Sequence, residues 1–165
     1  MFSFLSSLTP ILYIRLSPDN LYVRNIISGK VISEIPEVAI STEKKLKVLG
    51  LGENARILAA TTAAVRVVNP FAHPRTLISD FTIADILLKG FVQQAMPSSL
   101  FRFAPKVVLH PEGIPEGGFT QLEIRAFQEL ASMAGAAIVV VWQGSNLSDE
   151  QLLSWQFPSS GRQLN

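Results

Sequence analysis

The chain has 165 residues, no cysteine, and 14 Lys and Arg against 13 Asp and Glu. Disulfides, thiolate metal sites and cysteine nucleophiles are therefore excluded, and a formal net charge of +1 makes no general electrostatic case for nucleic acid. A hydrophobic content of 48% with 16% charged residues belongs to a folded chain, long enough for one domain with a proper core. The mean hydropathy of +0.31 leaves apolar material either for a generous core or for a surface facing a partner or a membrane.

Met1-Phe-Ser-Phe-Leu-Ser-Ser-Leu8 is apolar but carries no basic residue, so it fits a signal peptide poorly. Phe2, Leu5 and Leu8 share one helical face and offer a weak membrane contact, without Lys or Arg to meet anionic lipid. Packing of residues 1–10 on the protein itself or on another copy is the alternative. No uncharged run reaches the length of a membrane span. A cytoplasmic protein is expected, with the inner membrane face as an option.

Residues 11–16, Ile-Leu-Tyr-Ile-Arg-Leu, are β-branched and aromatic enough for a strand. Ser17-Pro-Asp-Asn20 is a tight turn, and residues 20–27 alternate polar and apolar as a half-buried strand does. Ser28-Gly29-Lys30 predicts a second turn and Val31–Ile35 a third strand, giving an antiparallel meander. Pro36 ends it. Val38–Ile40 and Leu46–Leu49 flank a charged turn and predict a small extra hairpin, followed by a short helix over Glu53–Ala60. Lys44, Lys45 and Lys47 form the one basic cluster, read as a solvated loop. Asn69–Pro74 is loop.

Asp80 is placed to cap a helix to about Ala95, with Phe81, Ala84, Leu87, Leu88, Phe91, Val92 and Ala95 on one face. Lys106–His110 predicts a buried strand. Thr120-Gln-Leu-Glu123 is a capping box for a helix to Ala134, with Gly135 as its stop. Ala136–Trp142 is a continuous apolar run, as in a parallel strand covered on both faces. Ser148 or Asn146 caps a last helix to about Ser154, and Phe157–Asn165 reads as a frayed tail. The order β-β-β-α-β-α-β-α, with an insert after the third strand, implies a mixed five-stranded α/β sheet with helices on both faces. This is the ribonuclease-H-like arrangement, with one domain over residues 11–156 and a tail over 157–165.

Several segments in this order resemble MreB, the bacterial actin-like family of cell shape. Gly29–Ile40 is similar to that family's third strand and its "NEPSVVAI" continuation, and Val65-Arg-Val-Val-Asn-Pro70 to "AIRPM". Ile78-Ser-Asp-Phe-Thr82 resembles "VIADF". Pro105–Leu109 followed by Thr120-Gln-Leu-Glu-Ile-Arg-Ala126 is similar to "PRVVIGVP…TxVERRA", and Ala134-Gly-Ala136 to "AGA". The likeness spans roughly residues 12–145, under half of a full MreB-like protein. It implies half of an actin-like ATPase.

The departures bear on activity. The family's "DLGTANT" phosphate turn corresponds to Arg15-Leu-Ser-Pro-Asp-Asn-Leu21. Pro18 has no amide hydrogen to offer a phosphate, and Arg15 has the wrong sign for a metal. "IEEP" corresponds to Val141-Trp142-Gln143-Gly144, without its carboxylates, and the loop Pro111–Gly118 is longer than its counterpart. The second phosphate loop, "DIGGGTT", and the adenosine segments have no counterpart among these 165 residues.

The expectation is a truncated, non-enzymatic MreB-like protein acting by association with itself or with an actin-like cell-shape protein, and using no cofactor. The alternative is a small-anion or nucleotide binder in a remnant cleft formed by Arg15, Ser17, Asp19, Asn20, His110 and Glu123. For Glu123 the capping box is the competing role. Asp19 is a turn residue, Asp80 a cap and Asp85 a surface residue, so two-metal nuclease chemistry lacks its carboxylates. His73 is a loop residue. Gly113–Gly118 lacks the Lys-Ser/Thr of a phosphate loop. Ser6-Ser7 and Ser98-Ser99 lack a nucleophile-elbow context.

Overall fold

Neighbouring residues of the first strand enter different cores, and this sets the architecture. A computed structural model describes residues 9–98 and 103–164. In chain order the elements are β1 (Ile11–Leu16), β2 (Leu21–Asn25), β3 (Val31–Glu34), β4 (Val38–Ser41), β5 (Val48–Leu51), α1 (Glu53–Thr61), β6 (Val65–Val68) and α2 (Phe81–Ala95). Then follow β7 (Lys106–Pro111), α3 (Gln121–Met133), β8 (Ile138–Gln143), α4 (Asp149–Ser154) and β9 (Arg162–Gln163).

Leu12, Ile14 and Leu16 join the larger hydrophobic cluster, with the buried faces of α2 and α3. Ile11 and Tyr13 join a second cluster with Val108, Val140, Trp142 and Leu152 of α4. The two-residue period of a strand thus puts α2 and α3 on one sheet face and α4 on the other.

The main sheet runs β3-β2-β1-β7-β8-β9. β1, β2 and β3 form the antiparallel meander, while β1, β7 and β8 are parallel. The α/β class and the actin-like arrangement stand. The expected frayed tail does not: β9 pairs antiparallel with β8, Gln163 opposite Trp142 and Arg162 opposite Gln143. The Leu164 amide donates to the Val141 carbonyl at 2.8 Å. Phe157 packs on Trp142 with ring centroids 5.6 Å apart. Among the described residues the sheet therefore has six strands rather than five.

The insert after β3 contains the expected hairpin and short helix, and a third strand besides. β5, β4 and β6 form a second sheet, and α1 packs on it through the fully buried Ala55. Val38 and Ile40 carry this unit into the main core.

Local signals set the helix ends. Asp80 Oδ1 accepts the Ile83 amide at 3.0 Å. Of the seven residues expected on the buried face of α2, all are buried except Phe81, which stands at its exposed first position. Thr120 and Glu123 form a complete capping box on α3, and Ser148 with Gln151 a second one on α4. Gly135, at φ 105°, ends α3 where a side chain would be strained. The readings placed on Phe2, Leu5, Leu8, Ser6-Ser7 and Ser99 lie outside the described residues. Among the described residues, no helix is long and apolar enough to cross a membrane.

Candidate functional site

The turn between β1 and β2 closes on itself. The Ser17 amide donates to the Asn20 carbonyl at 3.0 Å. The Asn20 amide donates to Ser17 Oγ at 3.0 Å, and Ser17 Oγ to the Asn20 carbonyl at 3.1 Å. Pro18 has no amide to give. Side chains brace the turn from outside: Asn69 Nδ2 donates to the Pro18 carbonyl at 2.8 Å, and Ser33 Oγ to Asn20 Oδ1 at 3.1 Å. Asp19 is exposed at the tip. A phosphate cradle needs several amides converging outward, and here those of Ser17 and Asn20 point into the turn.

Arg15 stands at the end of β1. Its Nε lies 3.3 Å from Glu112 Oε1, without the alignment of a hydrogen bond. Its Cζ sits 4.7 Å over the Tyr22 ring. Both partners of the ion pair are partly exposed, 26% and 33%, so it is worth about 0–1 kcal/mol. Its main effect is to balance one positive and one negative charge beside the turn.

His110, at the end of β7, is 5% exposed. The Tyr13 hydroxyl lies 2.7 Å from its Nδ1 and also accepts the Leu147 amide at 3.3 Å. The Tyr13 hydroxyl and the His110 ring are thus joined by one buried hydrogen bond. Burial, the largest influence, lowers the His110 pKa below its ordinary 6.5, partly offset by the Glu112 charge. Burial likewise raises the Tyr13 pKa above 10.0. The pair is a neutral, hydrogen-bonded pin between β7 and the loop before α4.

Glu123 has all its work inside the fold. Its Oε2 accepts the Thr120 amide and the Thr120 hydroxyl, each at 2.9 Å, and its Oε1 accepts the Thr76 hydroxyl at 3.3 Å. His73 accepts the Arg75 amide within its own exposed loop, at 3.2 Å. Asp85 is less exposed than a surface residue would be, its side chain 14% accessible, and it pairs with Lys89 at 2.7 Å.

The six remnant-cleft residues come together only in part: Arg15 and His110 are paired neighbours on β1 and β7, and Ser17 and Asn20 share the turn, but Glu123 stands apart from them. His110 lines a cleft of about 610 Å³ with Gln143, Gly144, Ser160, Gly161 and Arg162. Pro18 and Thr76, the partner of Glu123, line a second cleft of about 200 Å³. The loop around Gly113 and Ile114 borders both. The separation follows from strand alternation. His110 shares its face with Val108 in the α4-side core, whereas Glu123 begins α3 on the other face. Sequence reasoning missed Tyr13, Glu112, Ser160 and Arg162. Only Tyr13 carried a signal, since it lies one strand period from Arg15.

Family comparisons agree with this architecture. The MreB/Mbl protein family model matches residues 14–148. The cell shape-determining protein MreB of Pasteurella multocida (strain Pm70) is 32% identical over 120 residues, which is 70% of this chain and 32% of that protein. The chain thus spans about a third of the length of this curated relative. MreB5 of Spiroplasma citri bound to AMPPNP superposes with a TM-score of 0.63 at 24% identity, over 81% of this chain and 38% of that one. A non-polymerising MamK mutant bound to AMPPNP gives 0.63 at 15% identity, over 81% and 40%. At these identities the solved structures establish the actin-like fold alone. With the family model matching well over half of its length, the chain belongs to the MreB/Mbl family.

Proposed function

We propose that this chain acts without ATP hydrolysis, as a scaffold that associates with copies of itself or with a full-length actin-like protein in the setting of cell shape. The carrying observation is the β1–β2 turn. The amides of Ser17 and Asn20 are spent within it, Pro18 has none, and Arg15 pairs with Glu112 at the position of the family's metal-side Asp. Magnesium-bound triphosphate needs several converging outward amides and a carboxylate at the end of β1; here two of the turn's amides are turned inward, Pro18 has none, and the end of β1 carries Arg15.

Association is supported from two sides. The fold retains an ordered scaffold, with two sheets on one continuous core. One relative, MamK, has been solved as a double helical filament. The site of action is the cytoplasm, where a filament-forming relative would be met.

The test is co-sedimentation with the host's own full-length actin-like protein under polymerising conditions, alongside light scattering of the chain alone. The chain is expected in the pellet with filaments, or as a defined oligomer by mass. A strict monomer that stays in the supernatant at every filament concentration would contradict the proposal.

A further inference from the structure

The tail does more than complete the sheet, because it builds one wall of the larger cleft. β9 brings Arg162 alongside Gln143, with Arg162 Nε donating to Gln143 Oε1 at 2.7 Å. That contact occupies one face of the guanidinium and orients its two terminal nitrogens. Gln143 is 8% exposed. Its amide oxygen is used by Arg162, and its amide nitrogen carries two further hydrogens to donate. Ser160 and Gly144 belong to the same lining, and Ile114 adds an apolar residue to it.

The balance of charge decides what fits. Among the described residues, no Asp or Glu lines this cleft, and the one formal charge on its lining is the Arg162 cation. The nearest acidic residue in sequence, Glu112, lines the other cleft and is paired with Arg15, although its charge reaches His110. His110, on the same lining, is hydrogen-bonded to Tyr13, and its burial disfavours the charged ring. The side chains on the lining thus include a guanidinium, a buried carboxamide and a hydroxyl, each able to donate. A cation finds no carboxylate there. A carboxylate or phosphate oxyanion finds a charge-assisted, forked partner with a second donor beside it.

We propose that the cleft between β9 and the ends of β7 and β8 is a metal-independent oxyanion site, in which Arg162 and the Gln143 amide hold the carboxylate or phosphate head of a small ligand and Ile114 borders its body. A volume of about 610 Å³ is in the range of small-molecule sites. The proposal goes beyond the scaffold reading and stands or falls separately from it, since none of its residues belongs to the β1–β2 turn.

The test is an amide-resolved NMR titration of the intact chain, in parallel arms with inorganic phosphate and with succinate. The expected result is saturable movement of the Gly144 and Gly161 amides and of the Gln143 side-chain NH2 in at least one arm, and the stronger arm identifies the head group. Two variants sharpen it. Gln143→Glu keeps β9 in place through an ion pair with Arg162 but neutralises the cleft, and is expected to weaken binding at least about tenfold, as loss of a charge-assisted contact does. Arg162→Lys is expected to retain part of the affinity. Movement that never saturates, that centres on Lys44, Lys45 and Lys47, or that survives unchanged in Gln143→Glu would overturn the site. Movement centred on Ser17–Asn20 would overturn it too, and would also count against the reading of the turn.

Discussion

Gly161→Ala isolates the contribution of the tail to the fold. A Cβ at this position would lie 2.5 Å from Trp142 Cη2 and 2.7 Å from the Gln143 carbonyl oxygen, and closer still to Trp142 Cζ2. Trp142 cannot give way. It is fully buried, its indole N–H donates to the Ser145 carbonyl at 2.9 Å, and Phe157 covers it. The tail must lift instead. Overpacking of this kind costs about 1–3 kcal/mol, offset by about 0.4–1 kcal/mol from the less flexible unfolded chain. A net loss of roughly 1–2 kcal/mol corresponds to a fall in Tm of about 2–8 °C for a chain of this size. Calorimetry reads the total. Hydrogen exchange at the Leu164 amide, which is bonded to Val141, reads the tail itself and is expected to speed up about tenfold, since each 1.4 kcal/mol is a factor of ten. Gly90→Ala is the contrast: its Cβ would meet only the Leu51 side chain, chiefly Cδ1, which can rotate away, so little change is expected. If Gly161→Ala leaves both Tm and Leu164 exchange as they were, the packing of the tail on Trp142 is wrong.

Other perturbations follow from the same geometry. The folded pKa of His110 lies below its unfolded 6.5, so between those two values the unfolded chain binds more protons and stability falls as pH drops. Urea unfolding across that window is expected to show the slope in the native chain and a smaller one in His110→Gln; equal slopes would show that His110 is not its source. Thr120→Ala removes one half of the α3 capping box and the hydroxyl that binds Glu123, at a cost of about 0.5–2 kcal/mol, checked by chemical denaturation. Arg15→Asp restores a carboxylate at the end of β1 but leaves Pro18 and the inward amides in place. Calorimetric titration of that variant is expected to show no gain in magnesium–ATP binding, and a clear gain would mean the turn is not the obstacle.

The parts of the fold legible in the sequence were those specified locally. Asp80, Thr120 with Glu123, and Ser148 marked helix starts because a capping side chain acts within three residues. The β1–β2–β3 meander was legible from alternation and turn chemistry. β6 and β9 were not. Val65-Arg-Val-Val68 is short, and pairs with β4 rather than with a sequence neighbour. Arg162-Gln163 is a two-residue strand with no period of its own, held by Trp142 and Gln143 from far along the chain. The candidate site divided in the same way. Pro18 announces a missing donor from its covalent structure alone. That Arg15 would meet Glu112, and that His110 and Glu123 would face different clefts, depends on which strand lies beside which and on which face each residue takes.

A non-hydrolytic role requires the β1–β2 turn to be closed to magnesium-bound triphosphate, and isothermal titration of the intact chain with ATP in the presence of magnesium tests this most directly. No saturable heat is expected, with or without the metal. A saturable, magnesium-dependent isotherm that is lost on substitution of Ser17 or Asn20 would contradict it.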